Sequence, residues 1–242
     1  MSNTPHLKSQ ISVLKSTYAI IVAGGSGARM GSVVPKQFLS LNGLPVLMHT
    51  LLTYSKSAYL PRLILVLPDG YHDYWKQLCL THNFNLPHSL VTGGETRFHS
   101  VKAALEKVTE KDSLIAVHDA VRPLTLNTVI DGAYLQAAQK GNAITAVKSR
   151  DSIRQLKGEG SVNLARDEIY LVQTPQTFQY SQLKEAYLQP YDPNFTDDAS
   201  VVEKAGFTIH LINGDHQNIK ITFPEDIGIA ELILKNRGVV SF

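Results

Sequence analysis

Strand-length apolar segments alternate with helix-length amphipathic segments from Thr17 onward, and this alternation constrains the fold more than any other feature. The candidate strands, each bounded by Gly, Pro or Asp, are Tyr18–Val22, Leu63–Leu67, Leu114–Val117 and Ala143–Val147. The candidate helices are Val46–Ala58, Gly70–His82, Arg97–Lys107 and Thr128–Lys140. Apolar strands separated by helices predict an α/β fold in three layers, in which helices cover both faces of a mostly parallel sheet.

The alternation stops at Lys148. Residues 149–168 are polar and contain a turn at Gly158–Gly160, which predicts a β-hairpin that protrudes from the sheet. Such a β-arm needs a covering partner, and a second copy of the chain is the simplest one, so we expect it to be used in dimerisation. After the arm the pattern predicts further elements: helices at Ser181–Leu188 and Asp198–Ala205, strands at Thr208–Ile212 and Ile219–Thr222, and a last helix after Pro224.

These patterns predict a single domain over residues 17–242, with the arm as part of it. Residues 1–16 have weak periodicity, no apolar core and no arginine, so we expect a flexible extension rather than a secretory or transit signal. The chain has no apolar run of about 18 residues, the minimum for a membrane span. One cysteine, Cys79, excludes an intramolecular disulfide and favours a reducing, cytoplasmic location.

Charge is distributed unevenly, although the formal net charge is only +2. Residues 1–68 contain six Lys or Arg and no carboxylate, and the remainder contains 17 basic and 21 acidic residues. Either this is chance variation in composition, or the first part of the chain faces a strongly anionic ligand. Its cations are too sparse for a nucleic-acid surface, so a nucleic-acid partner is not expected.

A glycine-rich loop follows the first candidate strand and reads AGGSGARMG over residues 23–31. Glycines there allow backbone N–H groups to surround phosphate oxygens. The dinucleotide-binding pattern is absent because Met30 stands where it needs glycine, and no Gly-Lys-Ser/Thr follows as in a P-loop. Arg29 and Lys36 are placed to bracket a triphosphate. An ordinary tight turn with two solvated cations is the alternative.

Two later loops also carry groups suited to anions. Gly93 and Gly94 precede a candidate helix, whose N-terminal N–H groups can bind an anion or a base edge, although this segment taken alone favours a plain capping turn. Asp119 ends the third strand, where its carboxylate could hold Mg²⁺ on phosphates, and Arg122 follows as a second anion-binding group. The alternative is a surface Asp–Arg pair. No second histidine or cysteine lies at the spacing from His118 that a zinc site needs, which favours a hydrogen-bonded structural histidine.

Two cations late in the chain complete the candidate site. Arg166 lies at the base of the arm, and Lys220 interrupts a strand-like apolar segment. A lysine inside a strand is costly unless it meets an anion or faces solvent at an edge. Lys220 therefore either pairs with an anion or points outward from an edge strand, and both interpretations stay open. The Thr196–Ala199 segment is interpreted as a cap for the helix that follows, without a chemical role.

Taken together, these segments resemble the cytidylyltransferases, and most closely the 2-C-methyl-D-erythritol 4-phosphate cytidylyltransferase family of the non-mevalonate isoprenoid pathway. The matching segments, in family order, are AGGSGARM with PKQFL, GGETRFHSV, VHDAVRP, QTPQTF after Arg166, TDDAS, and NIKIT with FPEDI. Two positions depart mildly from the family: Val22–Gly25 replaces Pro-Ala-Ala-Gly, and Asp151-Ser152 replaces Asp-Thr.

The resemblance implies a Rossmann-like fold and a role for each site residue. Catalytic cations are Arg29, Lys36, Arg166 and Lys220; nucleotide-binding residues are Ala23, Gly24, Gly25, Gly27, Gly93, Gly94 and Ser100; substrate-binding residues are Asp119, Arg122, Ser152 and Thr174. Asp119 would also lie near the metal. The implied partners are CTP, a small polyol phosphate, and Mg²⁺ or another divalent cation. The implied assembly is a homodimer in which the arm brings Ser152 and Arg166 to the partner's site.

Three other functions compete with this reading. A ribitol 5-phosphate cytidylyltransferase, or another sugar-phosphate or alditol-phosphate nucleotidylyltransferase, shares the first loop, HDAVRP and TPQ. A non-catalytic nucleotide-binding module would have no reason to combine Arg29, Lys36 and Lys220. A dinucleotide-dependent oxidoreductase would need the glycine pattern that Met30 breaks. The sequence therefore predicts transfer of a cytidylyl group to an anionic alcohol phosphate.

Overall fold

A seven-stranded sheet organises the part of the chain that this computed structural model describes, residues 16–23 and 34–238. In chain order the strands are β1 (Ser16–Val22), β2 (Ser40–Leu41), β3 (Leu44–Pro45), β4 (Arg62–Leu67), β5 (Ser89–Thr92), β6 (Ser113–Asp119), β7 (Asn142–Lys148), β8 (Ile153–Lys157), β9 (Gly160–Leu164), β10 (Tyr170–Gln179) and β11 (Leu211–Asn213). The α-helices are α1 (Val46–Ser55), α2 (His72–Thr81), α3 (Arg97–Leu105), α4 (Asn127–Lys140), α5 (Tyr180–Ala186), α6 (Asp198–Lys204) and α7 (Glu225–Asn236).

The large sheet has the strand order β11-β7-β10-β6-β1-β4-β5. Strand β10 is antiparallel to both of its neighbours, β6 and β7, and the other pairs are parallel. The prediction of a mostly parallel sheet is confirmed. Because the parallel strands end at the same edge, the loops after β1, β4, β5 and β6 lie together there.

Helices cover both faces of the sheet because the strands present apolar side chains to each side in turn. Along β1, Ile20 belongs to a core shared with α3, α5 and α6, whereas Ile21 belongs to a core shared with α1, α2 and α4. A smaller core lies between α7 and the segment after β6. The three-layer Rossmann-like α/β sandwich is therefore confirmed.

The elements predicted from periodicity before the arm are present, with small differences at their ends. The four apolar strands correspond to β1, β4, β6 and β7, and the four amphipathic segments correspond to α1 to α4. Strands β8 and β9 form the predicted arm as a separate two-stranded antiparallel sheet. Near its tip Leu156 is 83% exposed, so the arm extends away from the core.

The tail of the chain differs from the prediction in three places. Ile219–Thr222 is not a strand; it is an irregular segment held to the loop after β6 by a hydrogen bond from Ile221 N to Val121 O of 2.9 Å. Strand β11 is shorter than predicted, because the Asn142 side chain bonds the backbone of Thr208 and His210. The third difference is β10, which is absent from the prediction, as are β2, β3 and β5 earlier in the chain. The Gln, Thr and Pro residues of β10 have no apolar alternation to reveal it.

Two predicted features lie outside the described residues. The extension over 1–16 is outside them except for Ser16, which begins β1, and the glycine-rich loop is outside them from Gly24 to Val33. Within residues 16–23 and 34–238, no helix combines the length and apolar character of a membrane span.

The buried position of Ile20 yields a stability prediction. Ile20 is fully buried in the centre of β1, so Ile20→Ala should lower the free energy of unfolding by about 3 kcal/mol through lost burial and a residual cavity. Chemical denaturation measures this change. Leu188→Ala is the control, because Leu188 is 71% exposed and should change stability by less than about 0.5 kcal/mol. Equal effects of the two substitutions would contradict the assignment of the core.

Candidate active site

A cleft of about 300 Å³ opens at the edge of the sheet where the parallel strands end. Backbone hydrogen bonds tie this edge together, from Ala23 N to Val66 O, Ala120 N to Val22 O and Gly93 N to Leu67 O. Polar side chains dominate the lining, which consists of Arg97, Asp119, Arg122, Val172, Gln173, Thr174, Gln176, Thr196, Asp197 and Lys220. Open α/β sheets bind their ligands at this edge, so the cleft is the candidate active site.

The Asp119 carboxylate lies among three cations. Its Oδ2 atom is 3.0 Å from Lys220 Nζ and 3.3 Å from Arg122 Nε, and its Oδ1 atom is 3.9 Å from Arg97 Nε. The three cations reach Asp119 from the start of α3, the loop after β6 and the irregular segment before α7. One buried carboxylate thus holds three separate parts of the chain together.

These contacts shift the pKa values of the charged groups in opposite directions. Burial alone would raise the pKa of Asp119, but Arg97, Lys220 and Arg122 outweigh it and hold that pKa well below its usual range. Burial lowers the pKa of the Arg122 guanidinium, and Asp119 opposes this shift. Asp119 is therefore ionised at neutral pH and is a weak proton acceptor.

A bulge in β10 forms one wall of the cleft. Val172 pairs with Ala146 and Gln176 pairs with Ile144, so Gln173–Pro175 lie opposite a single residue of β7. The bulge brings the Thr174 hydroxyl to the end of β6, where it accepts a hydrogen bond of 3.1 Å from Asp119 N. Bulges often redirect side chains beside functional sites, and this one places Thr174 next to the central carboxylate.

Asn218 connects the bulge to the cation-bearing segments. Its Nδ2 atom donates to Thr174 O at 2.9 Å and to Gln173 Oε1 at 3.3 Å. The backbone carbonyl oxygen of Asn218 accepts a hydrogen bond from Arg122 Nη1 at 2.8 Å. Its side-chain Oδ1 accepts one from the Thr125 hydroxyl at 2.8 Å. The buried amide is thereby satisfied on every side, and it anchors the segment that carries Lys220.

The segment predicted as a helix cap does more than cap. Asp197 is the N-cap of α6 and accepts from Ser200 N at 2.8 Å, as predicted. It also accepts from Gln176 Nε2 at 2.8 Å, which ties the cap to the cleft wall. Asp198 is fully buried and accepts from Arg97 Nη2 at 2.6 Å.

The Gly93–Gly94 turn is held closed against the start of α3. Gly94 N donates to Ser100 Oγ at 3.1 Å, and a Cβ atom at Gly94 would lie 2.5 Å from His99 Cβ. A Cβ atom at Gly93 would lie 3.1 Å from Ser100 Oγ. The turn thus requires small residues, and it lies three residues before Arg97 of the cleft. The structure brings the predicted Gly93, Gly94 and Ser100 together.

The first loop is described only at its two ends. Ala23 is buried, and its carbonyl oxygen accepts from Gln37 Nε2 at 3.3 Å. Lys36 is buried in a short 3-10 helix, Lys36–Phe38, and is not part of the cleft lining. The predictions for Gly24, Gly25, Gly27 and Arg29 fall outside the described residues.

The predicted arm residues do not line the cleft of their own chain. Ser152 and Arg166 are exposed, and the guanidinium of Arg166 donates to the carbonyl oxygen of Arg150 at 3.4 Å. Exposed apolar side chains, among them Leu156, Leu171 and Val172, accompany them on the arm and at its base.

His118 is a buried structural residue, in line with its predicted role. Its Nε2 atom is 3.2 Å from Arg122 O, and its ring packs edge-on against Tyr54 with centroids 5.0 Å apart. Burial lowers the pKa of His118 to about 4, although Asp119 opposes the shift. The ring is therefore neutral at physiological pH.

The described residues do not fit a resident metal ion. No group of three or more His, Cys, Asp or Glu side chains converges within residues 16–23 and 34–238. The predicted metal residue, Asp119, has three cationic partners instead of further oxygen ligands. Metal binding by Asp119 stays a prediction that this geometry does not support.

The structure brings four predicted residues together in the cleft: Asp119, Arg122, Thr174 and Lys220. Lys220 does not lie on an edge strand; it forms an ion pair with Asp119. Sequence reasoning missed Arg97, Gln173, Gln176 and Asn218. Arg97 follows the glycine turn at the start of a predicted helix, and a cation at a helix N-terminus is itself an unusual placement that invites attention.

A mostly parallel α/β sheet with a glycine turn and a cation-lined cleft, at the edge where its parallel strands end, is typical of enzymes that bind phosphorylated substrates. The family model described as 2-C-methyl-D-erythritol 4-phosphate cytidylyltransferase matches residues 17–236. The chain belongs to this family.

Curated relatives and solved structures agree with this assignment. Proteins named 2-C-methyl-D-erythritol 4-phosphate cytidylyltransferase from Bacteroides thetaiotaomicron and Phocaeicola vulgatus are 49% and 46% identical; the matches cover 89% and 90% of this chain, and 98% and 99% of those proteins. The crystal structure of 4-diphosphocytidyl-2C-methyl-D-erythritol synthase from Anaerococcus prevotii has a TM-score of 0.78 at 28% identity, covering 91% of this chain and 96% of that one. A Thermus thermophilus 2-C-methyl-D-erythritol 4-phosphate cytidylyltransferase has a TM-score of 0.73 at 27% identity, covering 91% and 99%.

The burial of neutral His118 predicts a pH dependence of stability. Below about pH 6.5 the unfolded chain binds a proton at this residue and the folded chain does not, down to about pH 4. Its contribution should therefore lower the free energy of unfolding by about 1.4 kcal/mol per pH unit as the pH falls through this range. His118→Gln should reduce this slope in denaturation curves recorded at several pH values.

His216→Gln is the matched control, because it makes the same substitution at an exposed histidine and so shows the effect of the substitution itself. A slope that His118→Gln does not alter would contradict the neutral, buried state of His118.

Proposed function

We propose that this chain transfers the cytidylyl group of CTP to 2-C-methyl-D-erythritol 4-phosphate, giving 4-diphosphocytidyl-2-C-methyl-D-erythritol and pyrophosphate. The observation that carries the proposal is the cleft in which Lys220, Arg122 and Arg97 surround Asp119 beside the Gly93–Gly94 turn. Membership of the family supports the choice of both substrates. The ribitol 5-phosphate alternative has no comparable support among the relatives described above.

The chemistry follows from the charges of the two substrates. An oxygen of the acceptor phosphate attacks the α-phosphorus of CTP, the bond to the bridging oxygen of the β-phosphate breaks, and pyrophosphate leaves with that electron pair. A phosphate monoester has its second pKa near 6, so the nucleophile is already ionised. The lowered pKa of Asp119 agrees with a reaction that needs no general base. The task of the protein is to bring two anions together.

The first loop and the Gly93–Gly94 turn would bind different parts of the nucleotide, the triphosphate and the cytosine. Gly24, Gly25 and Gly27 would offer backbone N–H groups to the triphosphate, and Arg29 and Lys36 would neutralise the charge that develops at the α-phosphate. Ala23, whose N–H is bonded to Val66 O, would hold the start of this loop at the sheet edge. Gly93, Gly94 and Ser100 would hold the cytosine. The closeness of Ser100 Oγ to Gly94 N, 3.1 Å, supports a preformed turn for this purpose.

On the acceptor side, the cleft offers a set of cations and one hydroxyl. Lys220 and Arg122 would bind the acceptor phosphate, and Thr174 and Asp119 would orient the polyol. Lys220 is 43% exposed in its side chain while its Nζ contacts Asp119, so it can meet a ligand without giving up that partner.

A divalent cation, Mg²⁺ or a substitute, would enter with CTP as its phosphate chelate, and so as part of a substrate. When bound it would neutralise phosphate charge. The cationic partners of Asp119 support a chelate of this kind over a resident ion.

The assembly that fits the exposed arm is a homodimer with arm exchange, in which Ser152 and Arg166 complete the partner's cleft. The apolar side chains of Leu156, Leu171 and Val172 are 83%, 51% and 44% exposed, which favours burial against a second copy. The single cysteine supports a cytoplasmic location.

Pyrophosphate release tests the activity directly. With CTP, Mg²⁺ and 2-C-methyl-D-erythritol 4-phosphate we expect stoichiometric pyrophosphate, and with ribitol 5-phosphate much slower release. Faster reaction with ribitol 5-phosphate would assign the chain to another acceptor. Tight binding of CTP without any pyrophosphate, whatever the acceptor, would favour a non-catalytic nucleotide-binding module.

Mixed dimers test the shared site. Lys36→Ala and Arg166→Ala should each cut turnover by about a hundredfold, as expected for lost transition-state cations. Co-expression of the two variants should restore about a quarter of the wild-type rate, because half of the dimers are mixed and each of those has one intact site.

Lys56→Ala is the matched control for Lys36→Ala. Lys56 is exposed, so Lys56→Ala alone should leave the wild-type turnover rate unchanged. Mixed dimers that stay as slow as the parent variants would show that Arg166 serves its own subunit.

A further inference from the structure

A buried carboxylate lies behind the cleft, outside the set of residues given a role above. Asp198 has no exposed surface, and its Oδ1 accepts from the Tyr187 hydroxyl at 2.6 Å while its Oδ2 accepts from Arg97 Nη2 at 2.6 Å. The cap of α6 is supplied by Asp197, so capping does not explain Asp198. A charge buried this deeply is costly unless it is paired, and its pair is Arg97.

Arg97 is shared between two carboxylates. Its Nη2 donates to the buried Asp198, and its Nε lies 3.9 Å from Oδ1 of Asp119 in the cleft, too far for a direct hydrogen bond. Burial alone would lower the pKa of Arg97, but Asp198 and Asp119 raise it above its usual value, so the guanidinium stays charged. The position of this charge relative to Asp119 depends on Asp198.

The separation between Arg97 and Asp119 matters for the other two cations. Asp119 Oδ2 binds Lys220 at 3.0 Å and Arg122 at 3.3 Å. Without a negative charge at residue 198, the nearest anion for Arg97 is Asp119 itself. A direct Arg97–Asp119 pair would turn the carboxylate and loosen its hold on Lys220 and Arg122.

We propose that Asp198 is a positioning residue for the transfer reaction: by holding Arg97 back from Asp119, it keeps that carboxylate aligned on Lys220 and Arg122, the cations that meet the acceptor phosphate. This role rests on the proposed function. The role depends on the negative charge of Asp198, so a substitution that removes the charge and keeps the shape can distinguish it from a contribution of Asp198 to folding.

Asp198→Asn tests the role by removing the charge and keeping the shape. We expect kcat to fall about tenfold, a typical size for coupling between groups of one network. The KM for the acceptor should not rise, because the region gains one positive charge and still attracts an anion. Tyr187→Phe is the matched control: it removes the other partner of Asp198 but leaves the charge, so the unfolding temperature should fall while kcat stays within twofold.

A double-mutant cycle distinguishes positioning from structural damage. In an Arg97→Gln background, Asp198→Asn should lower kcat no further, because Asp198 acts only through Arg97. If Arg97→Gln does not fold, Arg97→Lys takes its place, since one ammonium keeps the charge but cannot bridge two carboxylates. In that background as well, Asp198→Asn should have less effect than in the wild type.

Three results would overturn the role: an unchanged kcat in Asp198→Asn, an equal loss in both backgrounds, or an equal loss in Tyr187→Phe. Wild-type protein that releases no pyrophosphate from CTP and 2-C-methyl-D-erythritol 4-phosphate would instead overturn the proposed function, and this role with it.

Discussion

The Asp119 carboxylate and the three cations around it are the interaction on which the cleft depends. Lys220, Arg122 and Arg97 would repel one another at these distances without a central negative charge, and Asp119 would be costly to bury without them. The arrangement is therefore one electrostatic unit, and the bulge of β10 completes it because Thr174 accepts a hydrogen bond from the backbone of Asp119. Two further groups contact this unit: Asn218 accepts a hydrogen bond from Arg122, and Asp198 accepts one from Arg97.

Most of the sheet is predictable from the sequence, because a strand that is buried on both faces consists of consecutive apolar residues. Strands β1, β4, β6 and β7 are runs of apolar residues, and the helices between them have one apolar side. Strand β10 has no such pattern, because several of its buried side chains are polar and are held by hydrogen bonds, as Gln176 is by Asp197 and Ala199. Ile219–Thr222 shows the reverse case, in which apolar residues anchor an irregular segment and imitate a strand.

The site was predictable where a residue is unusual for its local position. Asp119 at the end of a buried strand and Lys220 inside an apolar segment are costly placements, and both meet opposite charge in the structure. Asn218 is an ordinary surface residue type in the sequence, and Arg97 shows only the weak signal of a cation at a helix N-terminus. The roles of both residues arise from long-range contacts that no local pattern encodes. Asp198 illustrates the limit: next to the capping Asp197 it resembles part of a cap, and only the fold shows that it faces Arg97, 101 residues away in the chain.

The origin of the three cations has a consequence for ligand binding. Residues 97, 122 and 220 belong to separate parts of the chain and meet only in the folded protein, so an unfolded chain has no equivalent site. A phosphate compound that contacts all three acts as a removable cross-link of the native state. Its binding free energy adds to the stability of the whole sheet by mass action, to an extent set by its concentration relative to its dissociation constant. Occupancy of the cleft and resistance to unfolding are thus two measures of the same contacts.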